Sequence, residues 1–345
     1  MLTQSPGNWF GQTMPVKYIL VSLNIFCMNF IRRGLVMDIY VLVAQMIQLF
    51  LVIFCGYGLF KLGVLTPEVD SHLTKLVLNV TLPLLILNSV LTQTDSNNSA
   101  RMFTVFIASA VVYVLLPLVS FAAVRLLRLP QNQQGVYAFM NTYSNVGFMG
   151  FPLITTLYGE QALLYAAVLN ILFNLSAYSI GVWMMHYGSR QKGLLNPKAI
   201  LNPGMVGSIL ALFLYFFPVQ VPAPVSGAIG SIGGLTSPLA MLLIGATLAG
   251  VPFREMFNDW KIYLFMVLKQ IILPLLLWPL LCLTISDAYI RGIIFVLLSM
   301  PVGNTVVLFA TQYLKDQTLA TKGVFVTTLF SLVTIPLVFA VLNIG

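Results

Sequence analysis

Ten long apolar stretches follow one another along this chain, and almost no charge interrupts them. They run near Tyr40–Leu62, Leu73–Leu91, Met102–Leu127, Gly135–Tyr158, Leu163–Tyr187, Ile200–Phe217, Val225–Gly250, Trp260–Leu283, Ala288–Tyr313 and Ala320–Leu342. A hydrocarbon core about 30 Å thick takes about 20 apolar residues as a helix, and the stretches match that length. Strands of a membrane barrel would show segments of about ten residues alternating in polarity, whereas these runs are apolar on every face. The pattern predicts an all-α polytopic membrane protein with ten transmembrane helices. Only 8% of residues are charged, against about a quarter in an average soluble domain, which excludes a water-soluble enzyme. The formal charge of +8, from 17 basic and 9 acidic residues, indicates no nucleic-acid partner, because basic residues this sparse build no patch for phosphates. Cys27, Cys55 and Cys282 lie apart in apolar sequence. They read as small core residues, with no disulfide framework or metal site, and no cofactor is expected.

Residues 1–36 fit the pattern poorly. Their one apolar run, Tyr18 to Ile31, has the length of a signal peptide but lacks a small-residue cleavage site, and Lys17 and Arg32–Arg33 flank it. Met37 opens onto Asp38 and a clean first span, so Met37 is the expected natural start and 1–36 an extension. Basic residues in short loops mark the cytoplasmic face. With ten spans, eleven of them between Lys61 and Lys322 fall on one face, and only Arg101 and Arg291 on the other. Both ends of the core, 37–345, are therefore expected outside a multi-pass protein of the cell membrane.

The core contains an internal repeat. At an offset of 156, Val146–Gly147 matches Val302–Gly303, Thr155 matches Thr311, Glu160–Gln161 matches Asp316–Gln317, and Leu163 matches Leu319. At an offset of 155, Thr81-Leu82-Pro83-Leu84 matches Thr236-Ser237-Pro238-Leu239. Two halves of five spans each, 37–187 and 199–345 joined by a short cytoplasmic linker at 188–198, have opposite orientations, because an odd number of crossings ends on the other side. Inverted repeats are an architecture of secondary transporters, whose substrate site lies near the midplane at the repeat interface.

Matching positions of the two halves carry interruptions. The fourth span contains Ser144-Asn145-Val146-Gly147-Phe148-Met149-Gly150-Phe151-Pro152, and the ninth Ser299-Met300-Pro301-Val302-Gly303-Asn304-Thr305. Gly and Pro release backbone groups from the helical ladder, which hydrocarbon tolerates only where protein or a water-filled cavity satisfies them. Two unwound helices crossing at mid-membrane are expected. Half-helix N-termini there present unpaired N–H groups and partial positive charge, which suits a carboxylate. Asn145 and Asn304 add amide donors. The candidate substrate-binding residues are Asn145, Gly147, Gly150, Pro152, Pro301, Gly303, Asn304 and Thr305. All nine Asp and Glu fall outside the spans as drawn, whereas a cation carrier would bury a carboxylate. Lys269 is the one charge read as intramembrane, the other basic residues within the stretches lying near their ends. It either snorkels to the interface or supports the crossing electrostatically, by holding freed carbonyls or by raising the potential for an anion.

These residues carry a family likeness. Asn145 followed by Met149-Gly150-Phe151-Pro152-Leu153 is similar to the plant segment N-T-L-V-M-G-I-P-L. Pro301-x-Gly303 followed by Phe309-Ala310-x-x-Tyr313 is similar to P-Q-G-I-V-P-F-V-F-A-K-E-Y. The chain resembles the auxin efflux carrier family, which contains plant PIN proteins and bacterial permeases for malate, malonate and similar acids. The resemblance implies ten helices in two inverted repeats with crossed broken helices 4 and 9. It also implies a scaffold of spans 1, 2, 6 and 7, a transport unit of spans 3–5 and 8–10, a homodimer and an elevator movement. Asn145 matches the plant crossover asparagine that helps bind the substrate carboxylate. The chain departs from the plant pattern in having only Gly188 to Lys198 between spans 5 and 6, and Thr311-Gln312 where the plant segment has Lys-Glu. A small carboxylate is therefore a better substrate than auxin.

Other readings make separable demands. A sodium- or proton-coupled symporter of related crossed-helix type would normally bury a carboxylate, although backbone carbonyls with Asn145 and Asn304 could hold sodium. An intramembrane enzyme needs paired acids, a Ser–His pair or a zinc-binding His pair. His72 and His186 lie near span ends with no interior acid. A passive channel can select with backbone groups alone. Phe148, Phe151 and Tyr143 read as packing residues beside the crossing, and Trp260 as an interfacial anchor.

Overall fold

A computed structural model of the chain describes residues 39–91, 99–187, 203–217, 219, 221–250, 258–313 and 315–342. The expected extension at 1–36 and linker at 188–198 lie outside the described residues. Those residues are all-helical, with no strand among them. In chain order the helices are α1 (Ile39–Lys61), α2 (Pro67–Leu91), α3 (Ser99–Leu126), α4 (Gln131–Thr142), α5 (Val146–Tyr158), α6 (Ala162–His186), α7 (Pro203–Phe216), α8 (Ala223–Ala249), α9 (Trp260–Thr284), α10 (Ala288–Ser299), α11 (Thr305–Gln312) and α12 (Gln317–Leu342). Seven of them, α1, α2, α3, α6, α8, α9 and α12, are long and apolar enough to cross a membrane, while α5, α7 and α10 are shorter apolar helices.

The distribution of side chains suits lipid. Leu51, Phe54, Phe103 and Leu118 are exposed on α1 and α3, while Ser89, Ser109, Ser120, Asn141, Lys269 and Gln270 are buried. Water would penalise such an apolar exterior, whereas hydrocarbon demands it and requires polar groups to find partners inside.

Acidic residues start helices rather than line the interior. The carboxylates of Asp259, Asp287 and Asp316 accept backbone N–H groups of Lys261, of Tyr289 and Ile290, and of Leu319. Each satisfies donors orphaned at an N-terminus, where the helix dipole also favours negative charge. The same logic corrects the second span. Thr66 accepts the Val69 N–H and Pro67 opens α2, so the helix begins well before Leu73 and takes Glu68 and Asp70 into its first turn. Two further expectations fail. Arg291 is buried in α10, 4% exposed, rather than in an outer loop, because its guanidinium donates to the Ile285 carbonyl just beyond α9 and lies over Trp278. Cys55 is exposed on α1 rather than in the core, and Cys282 is half-buried.

Three helices contain a π-helical turn with a proline two residues beyond it: Val77–Thr81 before Pro83, Val146–Gly150 before Pro152, and Leu268–Ile272 before Pro274. Proline donates no N–H and its ring crowds the carbonyl four residues back. The residue before it instead reaches one residue further, as Phe151 does to Val146 and Leu273 to Leu268. Such turns bulge the helix and re-aim its side chains. One bulge opens α5 and another carries Lys269.

Packing divides the helices unevenly. α1 lies along the second half of α8, and α2 packs on α7 and α8. α3 packs on α4 and α6, and α9 on α10 and α12.

Candidate substrate site at a crossing of two broken helices

The break between α4 and α5 meets the break between α10 and α11. Ser144 and Val302 form an antiparallel bridge. The Asn145 N–H donates to the Pro301 carbonyl at 2.7 Å, and the Gly303 N–H points to the Tyr143 carbonyl at 3.5 Å. Each break thus satisfies part of the other's freed backbone, as a dry interior requires. The contact is tight at glycine: a Cβ on Gly303 would lie 3.1 Å from the Ser144 carbonyl oxygen and 3.3 Å from Asn145 Cα, so the facing backbone would have to give by a few tenths of an ångström. A third element ties in, because the Thr327 hydroxyl on α12 accepts the Val302 N–H at 3.0 Å while donating to the Gly323 carbonyl.

The half-helices beyond the crossing both begin at asparagine. Asn145 caps α5 with its side-chain oxygen, which accepts the Phe148 N–H at 3.2 Å, leaving the amide NH2 as donor. Asn304 precedes α11 without a side-chain cap bond and is half-buried, as are Thr305 and Gly147. Gly147 has only Leu82 near it, with a Cβ 3.9 Å from Cδ2. The other predicted residues are buried in the framework. Gly150 lies against Leu297, and its N–H donates to the Asn145 carbonyl. The Pro152 carbonyl accepts the hydroxyls of Thr155 and Thr156, and Pro301 is buried with its carbonyl on Asn145. The structure therefore groups Asn145, Gly147, Gly303, Asn304 and Thr305 around the two helix starts. Gly150, Pro152 and Pro301 shape the backbone behind them.

Lys269 does not snorkel. It is 1% exposed, and its ammonium donates to the Asn141 carbonyl and the Ser144 hydroxyl, each at 2.8 Å. The Ser144 hydroxyl in turn donates to the Leu298 carbonyl at 3.1 Å. The aromatic residues pack: Tyr143 stacks with Tyr113, meets Phe139 and Phe173, and pairs its hydroxyl with Ser176. Sequence reasoning passed over Ser144, Asn141, Thr327 and Gln270. A signal existed for the last two, since Thr327-Thr328 and Gln270 are polar residues inside otherwise apolar spans, where each must find a partner. Gln270 donates to the Thr327 carbonyl at 2.7 Å.

An all-helical body with an apolar exterior and two interrupted helices meeting in its interior fits a polytopic membrane protein. The comparisons agree: the sequence pattern of the membrane transport protein family matches residues 41–196 and 189–339, and the chain belongs to that family, the auxin efflux carriers. It is 25% identical over 297 residues to an uncharacterized transporter of Methanothermobacter thermautotrophicus, covering 84% of this chain and 95% of the relative. It is 24% identical over 297 residues to a protein of Rhizobium meliloti provisionally named a malonate transporter, covering 81% and 91%. A transporter of Methanocaldococcus jannaschii is 23% identical over 296 residues, covering 83% and 94%. The family and these relatives are transporters, not enzymes.

Proposed function

We propose that this protein is a secondary transporter carrying a small organic anion, a mono- or dicarboxylate such as malate or malonate, across the cell membrane. In this reading α4 with α5 makes the fourth of ten spans and α10 with α11 the ninth. The spans form two inverted repeats, 37–187 and 199–345, with both ends of the core outside. α1, α2, α7 and α8 form a scaffold, and the other helices a transport unit that moves as an elevator. The packing of α1 on α8, and of α2 on α7 and α8, supports that division. A homodimer through the scaffold completes the reading.

The observation that carries it is the crossing. Two half-helices start there at Asn145 and Asn304, with Gly147 and Thr305 partly open beside them. Backbone N–H groups, amide donors and two positive helix ends suit a carboxylate. The name of the Rhizobium relative supports the same substrate class. The test is thermal unfolding of the purified protein with malonate, malate or acetate. At least one carboxylate is expected to raise the midpoint, and Asn145→Ala to lose the response, since a charge-assisted hydrogen bond of about 1.5–3 kcal/mol corresponds to about tenfold or more in affinity. A flat response to every carboxylate, or an Asn145→Ala variant that responds like the wild type, contradicts the reading.

A further inference from the structure

Four helix ends meet at the crossing. Two are the positive starts of α5 and α11. The other two are the C-termini of α4, at Thr142, and of α10, at Ser299. Each of these carries orphaned carbonyls and partial negative charge. In secondary transporters, unwound carbonyls and half-helix C-termini are where coupling sodium ions or protons are held. Here both ends converge on one ammonium. Lys269 donates directly to Asn141 at the end of α4, and through the Ser144 hydroxyl to Leu298 at the end of α10.

The surroundings of this ammonium are those of a bound cation rather than of an ion pair. Its partners are a carbonyl and a hydroxyl, both neutral oxygens, the ligand type that hard cations take. Among the described residues the one salt bridge is Arg101–Asp287, so no carboxylate neutralises Lys269. Asn141 and Gln270 each keep a buried side-chain oxygen with no donor among the described residues. The π-helical turn Leu268–Ile272 carries the side chain.

We propose that Lys269 is a tethered cation: its ammonium occupies the place at the crossed C-termini that an alkali cation would otherwise fill, and so holds the crossing ready for an anion without sodium. The proposal rests on the transporter reading, but its test needs no substrate. Thermal unfolding is compared in sodium chloride and in N-methyl-D-glucamine chloride for the wild type, Lys269→Ala and Lys269→Gln, the last keeping a neutral hydrogen-bond donor. The wild-type midpoint is expected to be the same in both salts. Each variant is expected to gain about 2 °C or more at about 100 mM sodium, with a saturable dependence. Saturable stabilisation of the wild type by sodium overturns the proposal whether or not the variants fold. So does a folded variant that unfolds identically in the two salts. Malonate stabilisation, measured on the wild type and Asn145→Ala, reports separately on the substrate reading.

Discussion

At the scale of single residues, the crossing depends on atoms that leave little room. A Cβ at Gly303 approaches backbone, the Ser144 oxygen at 3.1 Å and Asn145 Cα at 3.3 Å, which cannot swing aside as a side chain does. Gly303→Val is expected to lower stability by about 1–3 kcal/mol, in the range of overpacked cores, and to abolish stabilisation by carboxylates. Gly147→Ala is the control, because a Cβ there meets only Leu82 at 3.9 Å, and its unfolding midpoint without ligand should stay at the wild-type value. Asn145 was legible in the sequence because a polar amide beside Gly and Pro in an apolar run needs a reason. Lys269 was legible as an intramembrane charge, but its partners were not: Asn141 and Ser144 lie 128 and 125 residues away. Arg291 was misread because charge alone assigned it to a loop, while a carbonyl and an indole face bury it.

Elements are joined here by small residues. α1 and α8 approach until their backbones nearly touch. A Cβ on Gly245 would sit 1.9 Å from the Ile53 oxygen and 2.7 Å from the Tyr57 nitrogen, and one on Gly56 2.2 Å from the Leu242 oxygen. Lipid offers no hydrophobic drive between helices, so close backbone contact of this kind supplies the packing. Gly245→Ala is expected to force the pair apart and to cost about 1–3 kcal/mol or more, read as a lower unfolding midpoint in detergent. Gly58→Ala on α1, with nothing within 4 Å of its Cβ, is expected to leave the midpoint unchanged. Helix positions and the two breaks could be read from apolar length and from Gly and Pro. The π-helical turns before Pro83, Pro152 and Pro274 could not, because a kink and a bulge share the same proline. The start of α2 was misplaced because Glu68 and Asp70 were read as loop, when the Thr66 cap and Pro67 favour acids in a first turn.

For the whole molecule, the scarcity of charge decides most of the physics. Three acids cap helix N-termini, and Lys269 stands unpaired by any acid among the described residues. Membrane residence and helical class were legible because hydrocarbon imposes them on composition. Which breaks meet, and what holds them, depends on contacts between segments more than 150 residues apart, such as Ser144 with Leu298, and no periodicity records those. The central claim is that this crossing carries a carboxylate through a binding site. It is tested most directly by uptake of labelled malonate and malate into proteoliposomes of the purified protein. The account predicts saturable uptake, competed by the unlabelled acids and reduced about tenfold or more in Asn145→Ala. Flux that rises linearly without competition, no carboxylate flux above empty vesicles, or undiminished uptake by Asn145→Ala would contradict it.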